Sequence, residues 1–198
     1  PELPGKVYVC PDVSGSMSSP VTGYRRGATT AVRCIDVAAL VAAAILHKNP
    51  DAEVLPFEHR VVSVRVSKKD SVMTNARRLA GVGGGGTSCS APLELLNSQR
   101  ARGEMVIFVS DNESWVDAGG PRMATAMMRE WSAFKARNPS AKLVCIDLVP
   151  NRTTQATEGG DVLNIGGFSD AVFDVLAAFA KGGVRSDRWV GVIEDVTL

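Results

Sequence analysis

Oxygen-bearing side chains follow an apolar run near the start of this sequence, with a spacing that suits the binding of a divalent cation. Asp12, Ser14 and Ser16 come directly after the run Val7–Cys10, two residues apart in a Gly-containing loop. Hard cations such as Mg²⁺ take oxygen ligands in a partly hydrated octahedral shell. The same residue types also occur in ordinary turns and helix caps, so this pattern alone is weak evidence for a metal site.

Two later segments supply further oxygens. The glycine run 83–86 is followed by Thr87, and a second apolar run, Met105–Val109, is followed closely by Asp111. If the two apolar runs are neighbouring parallel strands, Asp12 and Asp111 project from the same sheet edge, with Thr87 on an adjacent loop. Two carboxylates and three hydroxyls then surround a single ion.

This set resembles the metal-ion-dependent adhesion site of von Willebrand factor A (vWA) domains. It matches that site at all five positions, which are Asp12, Ser14, Ser16, Thr87 and Asp111. In that family some of these residues contact the metal directly and others contact it through water. The resemblance implies a divalent metal ion as cofactor. Oxygen ligands favour Mg²⁺, with Ca²⁺ and Mn²⁺ as alternatives.

The sequence around these positions narrows the resemblance to the Ro autoantigen (TROVE) family. The similar segments are Gly85–Ser90, Ser110–Trp115 and Ile165–Phe168, within a match from about Lys6 to about Lys181. Proteins of that family are intracellular RNA-binding factors in which a ring of helical repeats is joined to an A domain. The resemblance implies a binding module of a ribonucleoprotein that acts in quality control of non-coding RNA. No helical-repeat segment occurs in these 198 residues.

The expected partners follow from the charges and from the resemblance. The chain has 22 basic and 21 acidic residues, which gives no global field that would hold a nucleic acid. We therefore expect small or misfolded RNA to bind mainly through the absent ring, a protein partner to bind at the metal site, and neither DNA nor a membrane to bind. Arg25, Arg26 and Glu113 are candidates for contact with a phosphate or a partner. The other basic clusters, such as Lys68-Lys69 and Arg77-Arg78, are interpreted as solvated surface.

The alternation of strand and helix patterns predicts an α/β fold. The resemblance makes it a Rossmann-like vWA fold, with a mainly parallel sheet and helices on both faces. Only three residues separate the strand patterns Glu53–Phe57 and Val61–Arg65, which predicts one antiparallel edge strand. Helices are predicted near 31–48, 69–79, 90–102, 121–138 and 170–181. Met123, Met127, Trp131 and Phe134 recur on one helical face and are interpreted as core.

The predicted organisation is a linker over residues 1–5, a vWA-like domain over 6–181 and a tail over 182–198. The tail contains the strand-like run Trp189–Ile193, and we expect it to pack on the domain or to return to the absent ring. No signal peptide is visible. The four cysteines lack zinc-site spacing and are expected to be buried free thiols, which indicates a reducing compartment and hence the cytoplasm.

The residues favour a binding module over an enzyme. Neither His47 nor His59 lies in a motif near the metal loop, and the glycine run lacks the lysine of a phosphate-binding P-loop. The bound ion still accepts an anionic oxygen, either a partner's carboxylate or an RNA phosphate. Two alternatives remain, a metal-dependent phosphoesterase and a purely structural ion that holds three loops together.

Overall fold

The computed structural model describes residues 2–22, 31–111, 121–149 and 160–182, with only the backbone described for 121–125. Five strands form one sheet in which every pair of neighbours is parallel, in the order β2-β1-β3-β4-β5. The strands are β1 (Val7–Pro11), β2 (Glu53–Val54), β3 (Met105–Ser110), β4 (Lys142–Asp147) and β5 (Val162–Gly166). This architecture confirms the predicted α/β fold.

The central strands β1 and β3 are almost entirely apolar because both faces of the sheet are covered. Every residue of β1 and β3 is buried, which is the usual pattern of a parallel strand packed on both sides. The register runs from Val7 opposite Met105 to Pro11 opposite Val109. The carboxyl ends of β1 and β3 therefore lie side by side, and β4 follows in the same register with Asp147 opposite Ser110.

Within the described ranges five helices cover the sheet, three on one face and two on the other. They are α1 (Cys34–Lys48), α2 (Val72–Ala80), α3 (Ala91–Ser98), α4 (Pro121–Arg137) and α5 (Ala171–Ala180). Residues of α1, α2 and α5 pack with Val7 and Val9 in one buried cluster. Residues of α3 and α4 pack with Tyr8 and Cys10 in the other. The predicted helices on both faces are confirmed.

The core predictions are confirmed wherever the side chains are described. Met127, Trp131 and Phe134 are buried, whereas the side chain of Met123 lies outside the described residues. All four cysteines are free and buried. None of the helices in the described ranges is long and apolar enough to cross a lipid bilayer.

The predicted antiparallel edge strand is wrong for the described residues. Between the two predicted strand patterns there is one antiparallel bridge, which joins Phe57 and Val61. The Pro56 carbonyl accepts the Val62 amide at 2.7 Å within this bridge, but Pro56 has no N–H with which to extend the ladder. Further along, the carbonyl of Arg65 accepts a hydrogen bond from Arg78 of α2, at 3.3 Å, in place of a strand partner. The predicted tail, including Trp189–Ile193, lies outside the described residues.

Candidate metal centre

The two predicted carboxylate ligands lie at the same edge of the sheet, at the ends of adjacent strands. Asp12 follows β1 and Asp111 follows β3, and the Asp12 amide donates to the Val109 carbonyl at 2.9 Å. Both side chains are buried, with exposed fractions of 0% and 2%. Ser110, the last residue of β3, donates its hydroxyl to Asp12 Oδ2 at 2.9 Å. The parallel register therefore brings together two acids that are far apart in the sequence.

The loop after β1 holds its hydroxyls beside Asp12. The Ser14 amide donates to Asp12 Oδ1 at 2.8 Å, and the hydroxyl oxygens of Ser14 and Ser16 are 3.2 Å apart. A short 3₁₀ turn over Gly15–Ser18 follows, and the buried side chain of Met17 anchors it. The two-residue spacing thus gathers one carboxylate and two hydroxyls, as the sequence predicts.

Backbone hydrogen bonds join the glycine loop that carries Thr87 to this loop. The Gly84 amide donates to the Val13 carbonyl at 2.8 Å, and the Gly15 amide donates to the Gly85 carbonyl at 2.9 Å. Thr87 follows two residues later and is partly buried. Gly83 has φ +87°, and a Cβ there would lie 2.1 Å from the Val13 carbonyl oxygen. Glycine is therefore required where the two loops meet.

Glu58 holds the glycine loop and was not among the predicted site residues. Its Oε2 accepts the Gly85 amide at 2.7 Å, and its carbonyl accepts the Ser88 amide at 2.8 Å. His59 Nδ1 lies 3.1 Å from Glu58 Oε1. Position in the sequence could have revealed this residue, because Glu58 follows the strand pattern Glu53–Phe57 just as Asp12 follows its own strand.

Asp147 adds a third carboxylate at this edge of the sheet and was also missed. It ends β4 opposite Ser110 and is 5% exposed, and its Oδ1 is buried without a hydrogen-bond partner among the described residues. Burial, with a smaller contribution from the charge of Asp111, raises its pKa to about 7. Among the described residues no three His, Cys, Asp or Glu side chains converge as metal ligands. We therefore treat Asp147 as an electrostatic neighbour of the site.

The chemistry of these groups fits a hard divalent cation. The pKa of Asp12 is raised to about 6, mainly by burial and to a smaller extent by the charge of Asp111, while hydrogen bonds from Ser14 and Ser110 act in the opposite direction. Buried carboxylates close to one another are costly when ionised, and a bound cation offsets that cost. The hydroxyls of Ser14 and Ser16 are neutral oxygen donors of the kind that Mg²⁺ accepts.

The predicted site residues divide into two groups. The loops that carry Asp12, Ser14, Ser16, Thr87 and Asp111 meet at one edge of the sheet, and the role of these residues as metal ligands stays a prediction. Arg25, Arg26 and Glu113 lie outside the described residues.

Comparisons with known proteins place the chain in a family. A family model described as the Ro60 vWA domain matches residues 6–180. A Deinococcus radiodurans relative, named RNA-binding protein RO60, is 26% identical over 174 residues, which are 87% of this chain and 31% of that protein. The crystal structure of the Deinococcus radiodurans RO (RSR) protein shares the fold, with a TM-score of 0.69 and 24% identity over 90% of this chain and 34% of that chain. This chain spans about a third of the length of these two proteins. It belongs to the Ro60 vWA domain family.

Proposed function

We propose that this chain is a divalent-metal-dependent binding module of a Ro-like RNA-binding protein. One observation carries the proposal. Four oxygen-bearing residues lie at one edge of the sheet, namely the buried Asp12 and Asp111 and the hydroxyl residues Ser14 and Ser16. With Thr87, these residues would hold the ion. Mg²⁺ is the proposed cofactor, because all five donors are hard oxygens.

The bound ion would supply an electrophilic position for an anionic oxygen. Three of the five proposed donors are neutral hydroxyls, so a directly bound carboxylate leaves the ion with residual positive charge. The ligand is then a carboxylate of a protein partner or a phosphate of RNA. The protein fixes the ion, and the partner completes the shell.

The role of the whole protein is proposed from its relatives. The Deinococcus radiodurans relative is named as an RNA-binding protein, and this chain corresponds to about a third of it. We propose that the parent protein is cytoplasmic, binds small or misfolded RNA mainly through a helical-repeat ring, and acts in quality control of non-coding RNA. We further propose that this domain acts by binding and not by catalysis.

Metal-linked stability tests the site itself. Mg²⁺ that binds only the folded protein stabilises it by RT ln(1 + [L]/Kd), about 2.7 kcal/mol at a hundredfold excess over Kd. We expect Mg²⁺ to raise the melting temperature of the wild type but not that of Asp12→Asn combined with Ser14→Ala. The control is Asp174→Asn, an exposed acid on α5, which should respond like the wild type. An equal response of all three proteins would rule out the site.

A ligand assay separates recognition from a purely structural ion. Binding of a single-stranded RNA 3′ end is measured in Mg²⁺ and in EDTA, with the wild type and with Asp12→Ala. Affinity that needs both Mg²⁺ and Asp12 would mean that an oxygen of the RNA fills the open coordination position of the ion. Metal-linked stability without RNA binding directs the search to acidic protein ligands. If such ligands also fail to bind, the ion is structural and the proposed function is wrong.

A phosphoesterase is the second candidate because of one contact. His59 and Glu58 form a paired base and acid beside the glycine loop, with His59 Nδ1 at 3.1 Å from Glu58 Oε1. The side chain of His59 is 57% exposed, so a substrate can reach it. Release of phosphate from RNA or a generic phosphoester, lost in both His59→Ala and Asp111→Asn, would favour this enzyme over the binding module.

A further inference from the structure

Basic residues lie on the segment that precedes α2 and in the last turn of that helix. Residues 60–82 contain six basic residues and one acidic residue, although the whole chain has 22 and 21. Lys68 and Lys69 precede α2, and Arg77 and Arg78 lie in its last turn. In the rest of the sequence acidic residues outnumber basic ones, so this segment is a local positive region in a nearly neutral chain.

Specific contacts hold the preceding segment alongside the helix. The Ser67 amide donates to Asn75 Oδ1 at 3.1 Å, and Asn75 Nδ2 donates back to the Ser67 carbonyl at 2.7 Å. Arg78 Nη1 donates to the Arg65 carbonyl at 3.3 Å. The buried Asn75 and these bonds fix the two stretches side by side. We call the resulting surface the α2 basic surface, formed by Arg65, Lys68, Lys69, Arg77 and Arg78.

Most of this charge is available to a ligand. All five side chains belong to exposed residues. Asp70 pairs with Arg78 at 2.5 Å, and Asp36, which shares a groove with Arg77, is engaged by Arg33 at 2.7 Å. Within the described part of the chain, the side chains of Lys69 and Arg77 make no hydrogen bond or ion pair.

We propose that the α2 basic surface binds the phosphate backbone of double-stranded RNA. Arginine guanidinium groups match phosphate geometry, and lysine ammonium groups add point charges. Residues 60–82 contain no aromatic side chain on which an unpaired base could stack. The recognition is therefore electrostatic and independent of base sequence. This inference rests on the RNA-binding part of the proposed function and is independent of the metal site.

The test compares two variants that remove the same charge from different places. Lys69→Glu with Arg77→Glu reverses two basic residues whose side chains make no hydrogen bond or ion pair in the described part of the chain. Arg129→Glu with Lys181→Glu reverses two exposed basic residues on α4 and after α5. Binding of labelled duplex RNA is measured by fluorescence anisotropy at several salt concentrations, in Mg²⁺ and in EDTA. Asp12→Ala and vesicles of phosphatidylcholine with phosphatidylserine are further arms.

The expected result is that wild-type binding survives EDTA and weakens as salt rises. The α2 variant should bind about tenfold more weakly, and the slope of log K against log salt should fall by roughly 1 to 2. The control variant should match the wild type. Equal weakening of both charge variants, no effect of either, no duplex binding, or binding to vesicles alone would each overturn the inference. Binding lost only in EDTA or in Asp12→Ala would support the metal site and reject this surface.

Discussion

At the scale of single residues, Asp147 is a buried carboxyl group near the proposed metal site, and its burial makes ionisation costly. Its pKa of about 7 in the folded protein lies far above the ordinary value of 3.8. Between these two values the folded protein binds more protons than the unfolded chain does. The free energy of unfolding therefore falls as pH rises toward 7, and the cost is fully present above that pH. Above about pH 7 Asp147 therefore carries a negative charge close to Asp111, and a bound cation would lower the cost of that charge.

We expect Asp147→Asn to stabilise the metal-free protein at alkaline pH, by up to about 4 kcal/mol, because the amide cannot ionise. Urea unfolding in EDTA at about pH 5 and about pH 8 measures the effect. The wild type should lose more stability than the variant between the two pH values. The variant should still lose some stability, because Asp12 also has a raised pKa and ionises in the same range. Asp174→Asn is the control, since it replaces an exposed acid. Equal losses in the wild type and Asp147→Asn would refute the assignment.

Gly83 offers a second test at this scale, because two constraints coincide there. A Cβ would meet the Val13 carbonyl oxygen at 2.1 Å, and the backbone has φ +87°. We expect Gly83→Ala to cost about 2 kcal/mol or more of stability and to weaken Mg²⁺ binding, since the two loops must separate. Gly86→Ala in the same loop is the matched control, because a Cβ there has nothing within 4 Å. A similar loss of stability for both substitutions would mean that the close contact between Gly83 and Val13 does not explain the effect.

At the scale of elements, the sequence predicts what local patterns determine and misses what tertiary contacts decide. The continuous apolar runs of β1, β3 and β4 predicted these strands correctly. Asp12 and Asp111 follow the first two runs and lie at the same sheet edge, as expected, and their role as metal ligands stays a prediction. The predicted antiparallel strand does not form beyond Val61. The backbone groups of Arg65 and Ser67 are hydrogen-bonded to the side chains of Arg78 and Asn75 of α2 and not to a neighbouring strand. Glu58 and Asp147 were missed for a related reason, since their part in the site depends on which loops and strands become neighbours.

The N-terminal cap of α2 allows a test of how much a local contact contributes to this helix. Ser71 caps the helix, its Oγ accepting the Thr74 amide at 3.1 Å. We expect Ser71→Ala to cost about 1 kcal/mol, measured by chemical unfolding. Because α2 presents the α2 basic surface, duplex RNA affinity at low salt should fall as well. Ser132→Ala is the control, since its hydroxyl donates within α4 to the Met128 carbonyl and caps nothing. If Ser132→Ala destabilises the protein as much as Ser71→Ala does, the loss of stability in Ser71→Ala cannot be assigned to the helix cap.

At the scale of the whole molecule, one sheet separates two buried clusters. The loops that we propose to bind a metal follow the carboxyl ends of strands that contribute side chains to both clusters. Leu176 of α5 lies in the cluster with α1 and α2, whereas Leu96 of α3 lies in the cluster with α4. Each is almost wholly buried. Because β1, β3 and β4 contribute side chains to both clusters, loss of packing on one face should be felt on the other.

This coupling predicts that the domain unfolds as one unit. Leu176→Ala and Leu96→Ala should each cost about 2–5 kcal/mol, and Mg²⁺ should stabilise both variants as much as the wild type. The probe is Trp131, which is buried beside Leu96 in the second cluster and is observed alone once Trp115 and Trp189 are replaced by Phe. In Leu176→Ala, Trp131 fluorescence and far-ultraviolet circular dichroism should give the same midpoint, although the substitution is on the opposite face. A circular dichroism transition that precedes the fluorescence transition would show that the face bearing α1, α2 and α5 unfolds separately, and the metal site would then depend on one cluster only.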